Sequence, residues 1–150
     1  QNVTVKATVK KFHTITIGKV SNGTITASQT TALAGETINL TDSTTEFSYE
    51  LKTVKVNGEE ITGTSFVMPD EDVTITGTFK FASKKYLVNC TDGKDYANLR
   101  KEADSAAKDL GDVPNGKIVS SKSGSTSQWI KITYDGVTGF VNINHLVEQP

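Results

Sequence analysis

DVTITGTFK, residues 72–80, alternates apolar and polar side chains without a break: Val73, Ile75, Gly77 and Phe79 on one side, Thr74, Thr76 and Thr78 on the other. A period of two marks a β-strand with one buried and one solvated face, and threonine suits the solvated one. The same pattern stands seventy residues earlier, where residues 2–10 read NVTVKATVK. Val3 and Val73, Thr4 and Thr74, Val5 and Ile75, Thr8 and Thr78, and Lys10 and Lys80 fall in register. A self-match at a fixed offset is the mark of a tandem repeat. Residues 1–10 are therefore expected to be the last strand of one repeat, docked on a sheet edge or lying loosely at the surface. Residues 11–80 are expected to be the next whole repeat, within a piece of a longer protein.

Composition changes after that strand. Of 22 threonines, 18 lie in residues 1–80, whereas the single Arg (Arg100) and single Trp (Trp129) lie beyond it. Residues 1–80 carry 7 Lys against 9 carboxylates, and residues 81–150 carry 9 Lys or Arg against 8, which together give the net charge of −1. Two small domains are expected, 11–80 and 86–150, joined by a linker at 81–85. Neither half is basic enough, and no Lys/Arg run is long enough, to argue for nucleic acid. No apolar run approaches membrane-spanning length. A single cysteine, Cys90, excludes an internal disulfide framework.

Within the repeat, short alternating runs follow one another. Phe12–Ile17 and Thr24–Ser28 flank Asn22-Gly23 and read as a hairpin. Ile38 and Leu40 form the next inward pair. Tyr49 and Leu51 then fall out of phase with Val54 and Val56, which predicts a bulge or bend near Lys52-Thr53. Asn57-Gly58 is the strongest hairpin signal, because a type I′ turn needs positive φ at both central residues. Asp70-Glu71-Asp72 is expected to be a solvated acidic face, since a calcium site wants 6–8 oxygens from a shaped loop. His13 is expected at the surface or a strand end, and Glu59-Glu60 as charges at a hairpin tip. This half is all β.

GTITASQTTALAGETINLT, YELKTVKVNGEEI and FVMPDEDVTITGTF resemble the divergent internalin-type B repeat of bacterial surface proteins. The resemblance covers residues 12–80 and is most specific at Met68, Pro69, Asp72 and Val73. It implies a secreted or wall-attached protein in which such repeats act as spacers or adhesive modules.

In the second half, Tyr86–Cys90 reads as a strand and Tyr96–Arg100 as another. Lys101–Leu110 is polar and alanine-containing, and is expected to wind one or two helical turns through Ala103–Lys108 inside a long loop. SKSGSTS at 121–127 reads as a mobile loop. Trp129–Tyr134 and Val137–Asn142 flank Asp135-Gly136, a tight hairpin turn.

NLR, VPNGKIV, QWIKITYDGVTGFV and HL, in that order, resemble the bacterial SH3 domain across residues 86–149. Its most specific part is Trp129, Tyr134-Asp135-Gly136, Gly139, Phe140 and Val141. One departure is that Lys101-Glu102-Ala103-Asp104 follows Arg100, where the family commonly has Ser, Gly or Pro. The resemblance implies a non-catalytic SH3-like β-barrel that attaches to cell-wall peptidoglycan or a cross-bridge peptide. The whole chain is then all-β, a repeat domain followed by a barrel, extracellular or cell-wall associated in a Gram-positive-type bacterium, with other surface proteins as further partners.

Tyr96, Trp129 and Tyr134 offer flat amphipathic faces for peptide or sugar, and Asn98 and Arg100 offer polar handles. The competing structural reading makes Trp129 a core residue and has Asn98 and Arg100 tie the neighbouring loop to the barrel. Cys90 and His145 are the only pair worth testing as nucleophile and base. Cys90 closes an alternating strand and no peptidase motif surrounds it, which predicts a buried, inert thiol. No phosphate loop, serine-centred elbow or metal-ligand spacing is present, and no cofactor is implied. The alternatives to a wall-binding module are a purely structural stalk or adhesin segment, and the accessory region of a wall hydrolase whose catalytic domain lies outside this chain.

Overall fold

A computed structural model of the protein describes residues 3–150, which gather into two compact units. One runs up to Thr44 and resumes over Leu51–Phe79; the other comprises Thr45–Glu50 and Lys80–Pro150. Residues 3–11 precede the first strand, join no ladder and are exposed, with Val3, Val5 and Val9 more than four-fifths open to solvent. Gln1 and Asn2, at the start of the proposed first repeat strand, lie outside the described residues.

The first unit holds β1 (Phe12–Ser21), β2 (Thr24–Ala27), β3 (Thr31–Leu33), β4 (Thr37–Ser43), β5 (Tyr49–Val56), β6 (Glu59–Glu60), β7 (Ser65–Val67) and β8 (Val73–Phe81). One sheet has the order β3-β1-β8-β5-β6 and the other β2-β4-β7. β8 turns Val73, Ile75, Gly77 and Phe79 into the core and its threonines outward, as its alternation predicts. Ile25, Ile38, Leu40, Val54 and Met68 complete that core. Gly77 stands at an inward position because a Cβ there would run into the Ile25 side chain. Asn57-Gly58 closes the β5–β6 hairpin with φ of 49° and 88°. Along β5 the inward positions are 49, 51 and 53, half-buried, and then the buried Val54 and half-buried Val56, so the phase changes beside Thr53 where the sequence predicts it.

One expectation fails in this unit, and another, for His13, holds in its strand-end form but not in its surface form. β1 and β2 do not form a hairpin: β1 pairs antiparallel with β3 (His13↔Ala32) and parallel with β8 (Ile15↔Val73), while β2 pairs with β4 (Thr26↔Thr41). The turn itself is present, with Asn22 at φ 63° and its Nδ2 donating to Phe79 O at 3.3 Å. It carries the chain from one sheet into the other. His13 is not at the surface but 2 % exposed on the inner face beside Ile15, and hydrogen-bonded through Nε2 to Asp70 Oδ1 at 2.8 Å. Asp72 Oδ1 accepts the Thr14 N–H at 2.7 Å, so the acidic turn is exposed yet clamps β1 to β8.

The second unit carries β9 (Lys85–Val88), β10 (Tyr96–Arg100), β11 (Asp109–Pro114), β12 (Ile118–Ser120), β13 (Trp129–Tyr134), β14 (Val137–Asn142), a 3-10 turn (Ile143–His145) and β15 (Leu146–Gln149). A four-stranded sheet, β11-β10-β14-β13, and a three-stranded sheet, β12-β9-β15, share one core. Tyr86, Val88, Ala97, Leu99, Val113, Val119, Ile130, Ile132, Val141 and Leu146 fill it, and Phe47 packs against its margin. Asp135-Gly136 makes the expected β13–β14 turn, with φ of 48° and 77°.

No helical turns form over 101–108. The segment bends instead, with Asp104 Oδ1 accepting the Ala106 N–H at 2.8 Å, and Asp109 already begins β11. A helix this short cannot repay its nucleation when the residues behind it are committed to a sheet. The serine-rich run 121–127 is bonded in place: Ser121 is buried and Ser125 Oγ bridges the Lys122 carbonyl and the Lys131 N–H. The protein is all-β in two small domains, and among the described residues no helix is long and apolar enough to cross a membrane.

Candidate functional site

The outer face of the four-stranded sheet carries the candidate site. On β10, Ala97 and Leu99 point into the core, which sends Tyr96, Asn98 and Arg100 outward. On β13, Ile130 and Ile132 point inward and Trp129 and Lys131 outward. β14 lies between these strands, pairing Trp129 with Asn142, Lys131 with Phe140, and Phe140 with Arg100. Trp129 is therefore half-buried on the barrel's outer wall and is not part of its core. Its backbone is held by Thr126, whose Oγ1 accepts the Trp129 N–H at 3.0 Å.

Asn98, Arg100, Ser105, Trp129, Asn142, Asn144 and His145 line an open cleft of about 230 Å³. One wall is the bent segment 101–108, tied down from β10. Asn98 Nδ2 donates to Asp109 Oδ2 at 2.7 Å, and Arg100 Nη1 donates to Ala107 O at 3.2 Å and lies 3.6 Å from Asp109 Oδ2. The other wall is the 3-10 turn, whose start is capped by Asn142 Oδ1 accepting the Asn144 N–H at 3.0 Å. The cleft offers one flat aromatic edge among amides, a hydroxyl, an imidazole and a guanidinium. Such a lining suits a polar, hydrogen-bonding ligand with some apolar surface.

The structure brings Asn98, Arg100 and Trp129 together and leaves the other two aromatics out of the cleft. Tyr96 lies on β10's outer face, paired with Pro114 across the ladder, with Lys94 Nζ 5.7 Å from its ring centroid. Tyr134 has the parity of Ile130 and Ile132 and packs on the core at the far end of β13. The sequence reading did not single out Ser105, Asn142, Asn144 or His145 as cleft residues. The alternation of Val137–Asn142 was the available signal for Asn142, since it places that side chain on the outer face beside Trp129.

Cys90 is 8 % exposed at the bend after β9, and burial pushes its thiol above the ordinary value, with Asp92 acting in the same direction. The Cys90, Asp92 and His145 ligand atoms lie within 4.8 Å of one another. A raised thiol pKa weakens a cysteine as a nucleophile.

Residues 13–83 match the divergent InlB B-repeat domain family, and residues 95–148 match the bacterial SH3 domain family. No curated protein and no solved structure showed significant similarity to the chain. Both domain types are non-catalytic, and together they fit a surface- or cell-wall-associated accessory module. The chain thus carries two family matches in tandem, a segment that matches the divergent InlB B-repeat domain followed by one that matches the bacterial SH3 domain.

Proposed function

We propose that the barrel binds cell-wall peptidoglycan or its peptide in the cleft beside Trp129, and that the repeat serves as a spacer or adhesive module in an extracellular, wall-associated protein. The observation that carries this reading is a half-buried tryptophan on an outer sheet face, ringed by hydrogen-bonding side chains. A tryptophan left partly open on a small barrel supplies stacking area at low entropic cost. Trp129, Asn98 and Arg100 are the proposed contacts, with Asn142 and Asn144 as further donors and acceptors; Tyr96 and Tyr134 lie outside the cleft. Residues 3–10 repeat the β8 pattern, and this sequence repetition, though these residues join no ladder, supports the spacer role.

One observation favours the stalk reading instead. Asn98 and Arg100 already spend donors on Asp109 and Ala107, as residues that hold a loop would. Co-sedimentation of the full chain with purified Gram-positive sacculi decides between the two. Wild-type protein is expected to sediment, and Trp129→Ala to weaken binding by about fivefold or more, the cost of an aromatic contact of ~1 kcal/mol or above. Tyr96→Ala is expected to change it far less, and a melting curve for each variant separates lost binding from lost fold. Wild-type protein that stays in the supernatant across walls of several cross-bridge types would establish the stalk reading.

A further inference from the structure

We propose that Cys90, Asp92 and His145 form a binding site for a thiophilic divalent cation, Zn²⁺ by its chemistry, at the end of the barrel where β9 and β15 meet. The three side chains come from two segments more than fifty residues apart in sequence, so no ligand spacing announces the site. Cys90 and Asp92 flank Thr91 in the bend after β9, and His145 ends the 3-10 turn that leads into β15.

Both segments are held by backbone bonds rather than by the ligands themselves. The Asn89 N–H donates to His145 O at 2.9 Å, and Val88 pairs with Leu146 in the β9–β15 ladder. Asn115 Oδ1 accepts the Cys90 N–H at 2.8 Å, while its Nδ2 donates to Lys94 O at 3.3 Å, which braces the bend on both sides of Asp92. The Leu146 N–H closes the 3-10 turn onto Ile143 O. The site is thus positioned by the fold before any ion arrives.

The distances fit. Zinc bonds of about 2.3 Å to sulfur and about 2.0–2.2 Å to nitrogen and oxygen place tetrahedral ligand atoms roughly 3.3–3.7 Å apart. The three ligand atoms here lie within 4.8 Å of one another. Closing that gap takes about 1.5 Å at most, within the reach of side-chain rotation at the exposed Asp92 and the half-buried His145. The donor set also selects the metal. A thiolate and an imidazole favour zinc and its first-row neighbours over magnesium or calcium, which take oxygen ligands. Thiolate and carboxylate together neutralise the dication. Cys90 lies inside the barrel's margin, which shields the metal–sulfur bond, while Asp92 faces water and marks the entry side. Three protein ligands leave the fourth position to a water molecule.

The test uses the full 150-residue chain, reduced and stripped of metal, titrated with Co²⁺ as a spectroscopic stand-in and then with Zn²⁺. One Co²⁺ per chain is expected, with thiolate-to-cobalt charge-transfer absorption that Zn²⁺ abolishes, and Zn²⁺ alone is expected to raise Tm. Cys90→Ser should remove the charge-transfer band, and His145→Gln should weaken Co²⁺ binding by about tenfold or more. Asp92→Asn is the safeguard, because its side chain is exposed and its loss cannot unfold the core; it too should weaken binding. Absence of the band in folded wild-type protein overturns the proposal. So does a band unchanged in both His145→Gln and Asp92→Asn, which would mean cobalt on the thiol alone. Because His145 also lines the cleft, Asp92→Asn and Cys90→Ser, which do not, are the variants that separate metal binding from sedimentation with sacculi.

Discussion

Asp72 shows how an exposed residue can matter to a core. Its side chain is largely open to water, yet Oδ1 accepts the Thr14 N–H at 2.7 Å and lies 3.7 Å from His13 Nδ1. Two residues before it, Asp70 is hydrogen-bonded to His13 Nε2 at 2.8 Å, while the buried Nδ1 has no hydrogen-bond partner among the described residues and only the more distant Asp72 carboxylate nearby. Met68 and Val73, at 1 % and 2 % exposed, anchor the two ends of the same turn in the core. This gives a physical reason for the Met-Pro-x-x-Asp-Val pattern: apolar anchors, a turn-setting proline, and an acid that grips the neighbouring parallel strand. Asp72→Ala is expected to destabilise the repeat by about 1 kcal/mol, below the roughly 1.5–3 kcal/mol of a bond to a charged group because water competes at this exposed site. Denaturant unfolding checks it. A loss below the error of that measurement would mean that the β1–β8 ladder holds without the clamp.

At the scale of elements, glycines decide where strands approach. Gly136 has φ of 77° in the β13–β14 turn, where an L-residue is strained but nothing crowds the Cβ. Gly139 is the opposite case: a Cβ there would lie 2.6 Å from Arg100 O and 2.9 Å from Leu99 Cγ. It is the point at which β14 passes closest to β10. Gly136→Ala is expected to cost about 1 kcal/mol, from the loss of a left-handed conformation that glycine adopts freely. Gly139→Ala should cost more, about 2–3 kcal/mol, because backbone rather than a movable side chain stands in the way. It should also weaken wall binding by shifting Arg100, whereas Gly136→Ala should leave binding unchanged. Thermal melts and sedimentation of the two variants give the comparison, and equal costs would refute the close-approach argument. Elements with a strong local signal, such as Asn57-Gly58, Asp135-Gly136 and the β8 alternation, were legible in advance. The β1–β2 pair and the 101–108 segment were not, because neighbours in sequence competed with partners far along the chain and lost.

At the scale of the whole molecule, charge is nearly balanced, with a formal net of −1 and no concentration of one sign in either half. The cleft holds one permanent cation, Arg100, and it sits 3.6 Å from Asp109. Wall binding should therefore rest on stacking and hydrogen bonds more than on long-range attraction to anionic wall polymers. Raising salt from about 0.1 M to about 1 M shortens the Debye length from roughly 10 Å to roughly 3 Å. The expected change in sedimentation affinity is less than about threefold. A loss of tenfold or more would show that charge on the protein surface, and not the Trp129 cleft, does most of the holding.

The sequence by itself determined the all-β class, the two family resemblances and most strand positions. Those properties follow from period-two alternation, from turn residues that need positive φ, and from motifs that lie within a few residues of one another. The tertiary structure alone decided what depends on distant partners. It set which strands pair, that His13 is buried against Asp70, and that Trp129 stands on an outer face. It put Tyr134 with the core and Tyr96 outside the cleft, and it brought Cys90 and Asp92 beside His145. The reason is physical: alternation says that a strand has two faces, but which face meets the core and which strand lies alongside is set by the packing of the whole sheet.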